Sequence, residues 1–384
     1  MQAVILAAGE GKRVRPLTWS RPKAMIPVAN RPIIAYTIDA LVKNGIREII
    51  VVVGYRKEQV TRYLNQLDLP VTVVVQEKQL GTAHALMQAE EKITGDFLLL
   101  PGDNYIDAQS IARIKDTKNA LLVKEHLHPS NFGVVTVRDG RTESIVEKPE
   151  HAPSFQVSTG IYSLTKEIFR QIKSNDMTDA IAGMIDAGTF VRAVPADDWQ
   201  DAIYPWDLLT LNQRLLRHLP AARDGVTSRH ATITGPVQIG KGSTIGPNTV
   251  ISGPVIIGED CTIGPNCCIL PDTSIGSRVT LEPLSLVGNS LIMDDACIAS
   301  HSRIVDAVIG ERCTLADHTS LGRADGLLEV EDVPVHTGFG AILGDNVRCG
   351  PFSRISNSII GNNVISEGDQ TVISRIIPDN TLVI

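Results

Sequence analysis

The 384-residue sequence predicts two domains of different class: an α/β domain with a mostly parallel, Rossmann-like sheet over residues 1–222, and a parallel β-helix over residues 223–384. Three observations carry this. Strand-length apolar runs alternate with helical patterns through the first half, the order of βαβ units. From residue 233 onward an aliphatic residue returns at every sixth position, the period of a coil built from six-residue sides. Length and composition, with 43% hydrophobic residues, provide core enough for more than one domain.

The same composition excludes several functions. A net charge of -7 argues against a nucleic-acid or anionic-membrane surface, since both call for clustered surplus cation. No apolar run approaches the roughly eighteen residues of a membrane span. The sequence opens on a strand pattern with no charged-then-apolar leader, so a cytoplasmic protein is expected. All six cysteines (261, 267, 268, 297, 313, 349) lie in the second half and none forms a C-x-x-C pair. They are expected to be small buried residues in a reduced compartment.

Taking the elements in order, Ala3-Val4-Ile5-Leu6 reads as a buried strand. Gly9 and Gly11 follow, where the missing side chains let backbone N–H groups approach a phosphate. Arg13, Arg15 and Lys23 add positive charge beside them. The dinucleotide fingerprint is excluded by Val14 in place of its third glycine, and the P-loop by Arg13 in place of Ser or Thr after Gly11-Lys12. Ile33, Ile34, Ile38, Leu41 and Val42 recur at helical spacing, and Gly45 stops that helix. Strands are predicted at 49–53, 71–75 and 97–100, the last leading into Pro101-Gly102-Asp103. Ligands on such sheets bind at the carboxyl ends of the strands, where the candidate residues fall.

Gln76, Gly81 and Thr82 follow one strand end, with polar groups for the edge of a base and a glycine for its face. Thr82 also suits a helix cap. Asp103 is a carboxylate at the mouth of the sheet, and Asp201 in Trp199-Gln200-Asp201 provides a partner; two carboxylates plus substrate phosphates make a typical Mg²⁺ site. Gly133, Glu147 and Lys148 place a glycine, a carboxylate and a cation along the following segments. Ser158-Thr159-Gly160 is the last of these segments.

The run from Leu6 to Lys23 resembles the signature of the sugar-1-phosphate nucleotidylyltransferases, which join a nucleoside triphosphate to a sugar phosphate. The resemblance implies that Leu6, Ala7, Ala8 and Gly9 hold the nucleotide, and that Arg13 and Lys23 act on its phosphates. Residues 76–85 are most similar to the UDP-N-acetylglucosamine pyrophosphorylases, where this segment selects uracil. Thymidylyltransferases of the same superfamily also take a pyrimidine here, so UTP and dTTP both stay open. Sugar-phosphate contacts are implied for Gly133, Glu147, Lys148, Ser158 and Thr159, with Ser158 standing where many relatives carry Asn. N-acetylglucosamine- and glucose-1-phosphate are the expected sugars. Asp103 and Asp201 match the family's metal ligands. Ile203 replaces a family glycine, which leaves Asp207 open as the second ligand.

In the second half the six-residue series runs Ile233, Ile239, Ile245, Ile251, Ile257, Ile263, Ile269, Ile275, Leu281, Val287. It loosens after Val287 and breaks at 323–340, a predicted loop excursion. The repeat resembles the hexapeptide acyltransferases, which implies a left-handed coil and a homotrimer or higher homo-oligomer. By the same resemblance His301 is a general base for acetyl transfer from acetyl-CoA to an amino-sugar 1-phosphate. His301 to Gly310 is one residue shorter than in those relatives, and Arg323 replaces a substrate-contacting Asn. Both departures fit a β-helix that only oligomerises or regulates. A non-catalytic scaffold, as in translation-factor exchange subunits, is opposed by the joint presence of Gly9, Gly11, Arg13, Lys23 and Asp103.

Overall fold

A computed structural model describes residues 1–331 and 333–384. It divides into two compact units: Met1–Glu10, Arg21–Met25 and Pro32–Asp201 form the first, and Gly11–Ser20, Ile26–Arg31 and Ala202–Ile384 the second. The division falls inside the glycine-rich run, between Glu10 and Gly11.

The first unit begins with β1 (Gln2–Ala7), α1 (Ile33–Lys43), β2 (Glu48–Val53), α2 (Lys57–Leu64), β3 (Val71–Val75), α3 (Thr82–Gln88) and β4 (Phe97–Pro101). It continues through β5 (Asn104–Ile106), α4 (Ala108–Ile114), β6 (Ala120–Glu125), β7 (Gly133–Arg138), β8 (Arg141–Glu147), β9 (Gln156–Leu164), α5 (Met177–Asp186), β10 (Arg192–Pro195) and β11 (Trp199–Asp201). The main sheet has the order β3-β2-β1-β4-β9-β6-β10-β8-β7. Its first four strands are parallel, which is why Val4, Ile5, Val51, Val52, Leu98 and Leu99 form continuous buried runs between helix layers. Antiparallel pairing of β9 with β4 and β6 extends this parallel core. Leu6 pairs with both Val52 and Pro101, so the parallel strands end at one level and deliver their following loops to one edge.

The second unit contains α6 (Asp207–Leu216) and a left-handed β-helix whose rungs stack, among the described residues, into parallel sheets of nine, nine and eight strands. The six-residue aliphatics from Ile239 to Val287 point inward and are almost completely buried, and a single apolar column runs from Val237 to Val372. Ile233, at the start of the series, is only half-buried. Asn, Asp and other residues at corner positions adopt positive φ, including Asn248, Asn266 and Asp295, because each triangular side must turn sharply and a short polar side chain tolerates that conformation. The loosened period has a geometric cause. Thr262 pairs with Thr280, 18 residues on, whereas Thr280 pairs with Cys297, 17 residues on; one side of each later coil is a residue shorter. The predicted excursion at 323–340 is an antiparallel hairpin, β12 (Ala324–Val330) and β13 (Val333–Phe339).

All six cysteines are free; Cys261, Cys267, Cys313 and Cys349 are buried while Cys268 and Cys297 are half-buried. Burial pushes the Cys349 thiol up to about 12, so it remains protonated and packs as a small apolar group. Among the described residues no helix is long and apolar enough to cross a membrane.

Candidate active site

Gly102 donates its N–H to the Leu6 carbonyl at 2.8 Å, and Tyr55 donates to Ala8 at 3.0 Å, which pins the strand ends on either side of β1. Leu6 is half-buried, Ala7 and Ala8 are buried, and Gly9 is exposed, so the chain emerges from the sheet at Gly9. Gly11 has φ 74° and opens a single 3₁₀ turn over Lys12–Val14. The Thr18 hydroxyl donates to the Gly11 carbonyl at 2.9 Å and closes the loop. Arg13 leaves this turn and lies 3.7 Å from Glu331 on the hairpin, an exposed pair worth little to stability.

Lys23 is the centre of charge in the first unit. Its Nζ lies 2.7 Å from Asp201 Oδ1 and 3.1 Å from Asp103 Oδ2, and the residue is 7% exposed. Burial alone would lower the ammonium; the two carboxylates outweigh it and hold it above the ordinary lysine value. A short antiparallel ladder brings the acids together. Asp201 pairs with Asn104, the residue after Asp103, so β11 lays its carboxylate beside the end of β4. Among the described residues no group of three or more His, Cys, Asp or Glu is placed to hold a metal. Two carboxylates sharing one cation are nevertheless suited to a hard divalent ion whose other ligands are phosphate oxygens and water. Asp207 Oδ2 accepts from the Tyr204 N–H at 2.8 Å, at the start of α6.

Gln76 is 2% exposed and its Nε2 lies 3.1 Å from the Gly81 carbonyl and 2.9 Å from His84 Nδ1. It is held in place before any ligand arrives, by a histidine that the sequence reading did not single out. Gly81 is the N-cap of α3 with φ 145°, and a Cβ there would stand 2.4 Å from the Asn175 carbonyl. Glycine is therefore required by this neighbour. Thr82 is not the cap; it is the first residue of α3, and its Oγ1 accepts from the Met177 N–H at 2.9 Å.

On the other strand ends, Glu147 lies between Lys148 Nζ at 3.1 Å and the Thr178 hydroxyl at 2.8 Å. A Cβ on Gly133 would meet Glu147 Oε2 at 3.3 Å, so glycine there leaves room for the carboxylate. Thr178, on α5, is a second residue without a sequence signal, since its partner is 31 positions away. Ser158 and Thr159 are buried. Thr159 Oγ1 donates to the Leu122 carbonyl at 3.1 Å, and Ser158 Oγ shares a hydrogen bond with Tyr162 Oη at 3.1 Å across the bulge of β9. Burial pushes the Tyr162 phenol up to about 12, against the lowering effect of Ser158, so it is a neutral donor or acceptor at any ordinary pH.

In the β-helix His301 occupies an exposed corner with φ 59°. Its ring stacks on His318 at 4.9 Å, and His318 on Phe352 at 4.7 Å, one above the next on successive coils. Arg323 Nη2 pairs with Asp325 at 3.2 Å at the root of the hairpin.

Residues 2–217 match the family described as nucleotidyl transferase, and residues 251–339 match a GMPPB C-terminal domain. The chain is 37% identical to the bifunctional protein GlmU of Methanococcus maripaludis, over 96% of this chain and 95% of that one. It is also 37% identical to the UTP–glucose-1-phosphate uridylyltransferase AglF of Haloferax volcanii, over 56% of this chain and 96% of that one. Among solved structures, a UDP-glucose pyrophosphorylase from Acinetobacter baumannii superposes with a TM-score of 0.50 at 25% identity, covering 56% of this chain and 94% of that one. A glycine loop leaving a parallel strand, a lysine between two strand-end carboxylates and these matches lead to one assignment: the chain belongs to the nucleotidyl transferase family.

Proposed function

We propose that this chain transfers a nucleotidyl group from UTP or dTTP to a sugar 1-phosphate, N-acetylglucosamine- or glucose-1-phosphate, and releases pyrophosphate. The observation that carries the reading is the convergence of Asp103 and Asp201 on Lys23 at the carboxyl end of the parallel strands. An oxygen of the sugar phosphate attacks the α-phosphorus in line; the bond to the β-phosphate oxygen breaks, and that oxygen leaves with its electron pair as pyrophosphate. No covalent enzyme intermediate is needed, so the protein contributes alignment and charge neutralisation. Leu6 to Gly9 present backbone to the nucleotide, with Gln76, Gly81 and Thr82 beside the base. Arg13 neutralises the departing pyrophosphate, and Lys23 and Lys148 restrain phosphate. Glu147, aimed by Thr178, accepts sugar hydroxyls, with Gly133, Ser158 and Thr159 forming the wall.

Asp103 and Asp201 are the residues that would hold Mg²⁺. Bound there, the ion would offset charge developing on the phosphates. Residues 1–222 carry this chemistry, and 223–384 build a homotrimer, which a solution mass of three chains would establish and a monomer mass would refute.

Pyrophosphate release from purified protein, pairing each triphosphate with each sugar 1-phosphate, tests the reading; no release with any pair would sink it. Arg13→Ala is expected to lower the rate by about a hundred-fold or more, the effect of removing one preorganised charge donor. A second reading gives the β-helix acetyl transfer from acetyl-CoA to glucosamine-1-phosphate, with His301 as base, and is favoured by the exposure of that ring. Release of free CoA thiol that disappears in His301→Ala supports it; no thiol leaves the β-helix without a reaction of its own.

A further inference from the structure

One corner of the β-helix carries a ladder of polar side chains, each capping the coil before it. Asp294 Oδ1 accepts from the Ser277 N–H at 2.9 Å, Asp345 Oδ1 from Glu311 at 2.9 Å, Asn362 Oδ1 from Asp345 at 2.7 Å, and Asp379 Oδ1 from Asn362 at 2.6 Å. On two of these rungs the remaining polar atom reaches the signature run. The Ser20 hydroxyl donates to Asp345 Oδ2 at 2.5 Å, and Asn362 Nδ2 donates to the Pro16 carbonyl at 3.2 Å. Asp345 is 2% exposed and Asn362 8%. The orientation of the Asn362 amide is fixed, because its oxygen is committed to a backbone N–H and only its nitrogen can meet a carbonyl. Farther along, Asn30 Nδ2 donates to the Ile275 carbonyl at 2.6 Å. The segments Gly11–Ser20 and Ile26–Arg31 accordingly belong to the same compact unit as the β-helix.

We infer that Asp345 and Asn362 are positioning residues for nucleotidyl transfer, an inference that rests on the function proposed above. They fix Pro16 and Ser20, and through Arg15 the 3₁₀ turn Lys12–Val14 that carries Arg13. A guanidinium aimed in advance at the leaving pyrophosphate avoids reorganisation during the reaction, and small misplacements are costly. Hydrogen bonds to buried carboxylate and amide groups suit this task, because water does not compete for their partners.

Ser20→Ala approaches the contact from the loop and leaves the ladder intact, so it does not threaten the coil. It and Asn362→Ala are expected to lower kcat about five- to thirty-fold, with KM for the sugar phosphate within two-fold of wild type. In an Arg13→Ala background neither should have a further effect, because both act through that side chain. Full-length protein is used throughout, and thermal midpoints are recorded alongside. An unchanged kcat in Ser20→Ala, or an effect that multiplies with Arg13→Ala, overturns the inference while the function stands. An inactive wild type overturns both.

Discussion

Lys23 shows how one residue draws its role from two others. Three charged groups that are far apart in sequence lie within a single hydrogen-bond radius, with the ammonium almost buried between the acids. Removing it leaves two partly exposed carboxylates facing each other, which costs less than the about 3–5 kcal/mol of a fully buried pair. Lys23→Met is therefore expected to lose both nucleotidyl transfer and stability. The pH dependence of that loss has a definite sign. A lysine whose folded-state value is raised contributes stability that is fully present below its unfolded value, about 10.4, and is lost as pH rises through the folded value. The gap in thermal midpoint between wild type and Lys23→Met should thus be wide and flat up to about pH 10 and narrow above it. A gap that closes between pH 6 and 9 would show that charge pairing is not its source. Lys23, Asp103 and Asp201 were each legible in the sequence from a motif, and so was the pairing of the two acids; the place of Lys23 between them was not, because sequence spacing does not say which side chain fills the gap. His84 and Thr178 had no motif at all; each is visible only through the polar atom it orients.

At the scale of elements, register decides what periodicity cannot. The three-residue ladder between β5 and β11 sets Asp201 opposite Asn104, and a slip of one residue would turn the carboxylate to the other face. The coil series was legible because an aliphatic residue recurs at ten successive six-residue positions; it faded after Val287 because the later coils close in 17 residues instead of 18. The hairpin of β12 and β13 left only a break in that pattern, since nothing in a broken period specifies the form of the insertion. Gly81 is where element geometry and function meet. Its φ of 145° and the Asn175 carbonyl facing it leave no space for a Cβ. Gly81→Ala should cost about 1–3 kcal/mol through backbone strain and shift the start of α3, taking with it the carbonyl that holds Gln76. Loss of stability together with a raised triphosphate KM is the expected pair of results. Wild-type values for both would mean that α3 moves freely away from Asn175.

At the scale of the whole chain, segments distant in sequence are joined by a few buried polar side chains rather than by apolar surface alone. Asn212 of α6 is completely buried, and it is the clearest of these joints. Its Oδ1 accepts from the Ala29 N–H at 3.0 Å and from the Ser274 hydroxyl at 2.5 Å, while its Nδ2 donates to the Asp272 carbonyl at 3.0 Å. One amide thereby ties the segment Ile26–Arg31, the helix after Asp201 and a β-helix coil into the second unit. Replacing Asn212 by leucine preserves volume but strands all three partners away from water, and each unmet buried group costs about 1–3 kcal/mol. Asn212→Leu should therefore lower stability by about 3–5 kcal/mol, whereas Asn212→Asp, which keeps both acceptor bonds and loses one donor, should cost less. Denaturant midpoints of the two variants measure the difference. Equal midpoints would mean that burying a charge costs as much as stranding two donors, and a leucine variant within about 1 kcal/mol of wild type would mean that α6 tilts to let water reach Ala29 and Ser274. The second result would assign the cohesion of the second unit to its apolar column instead of this joint.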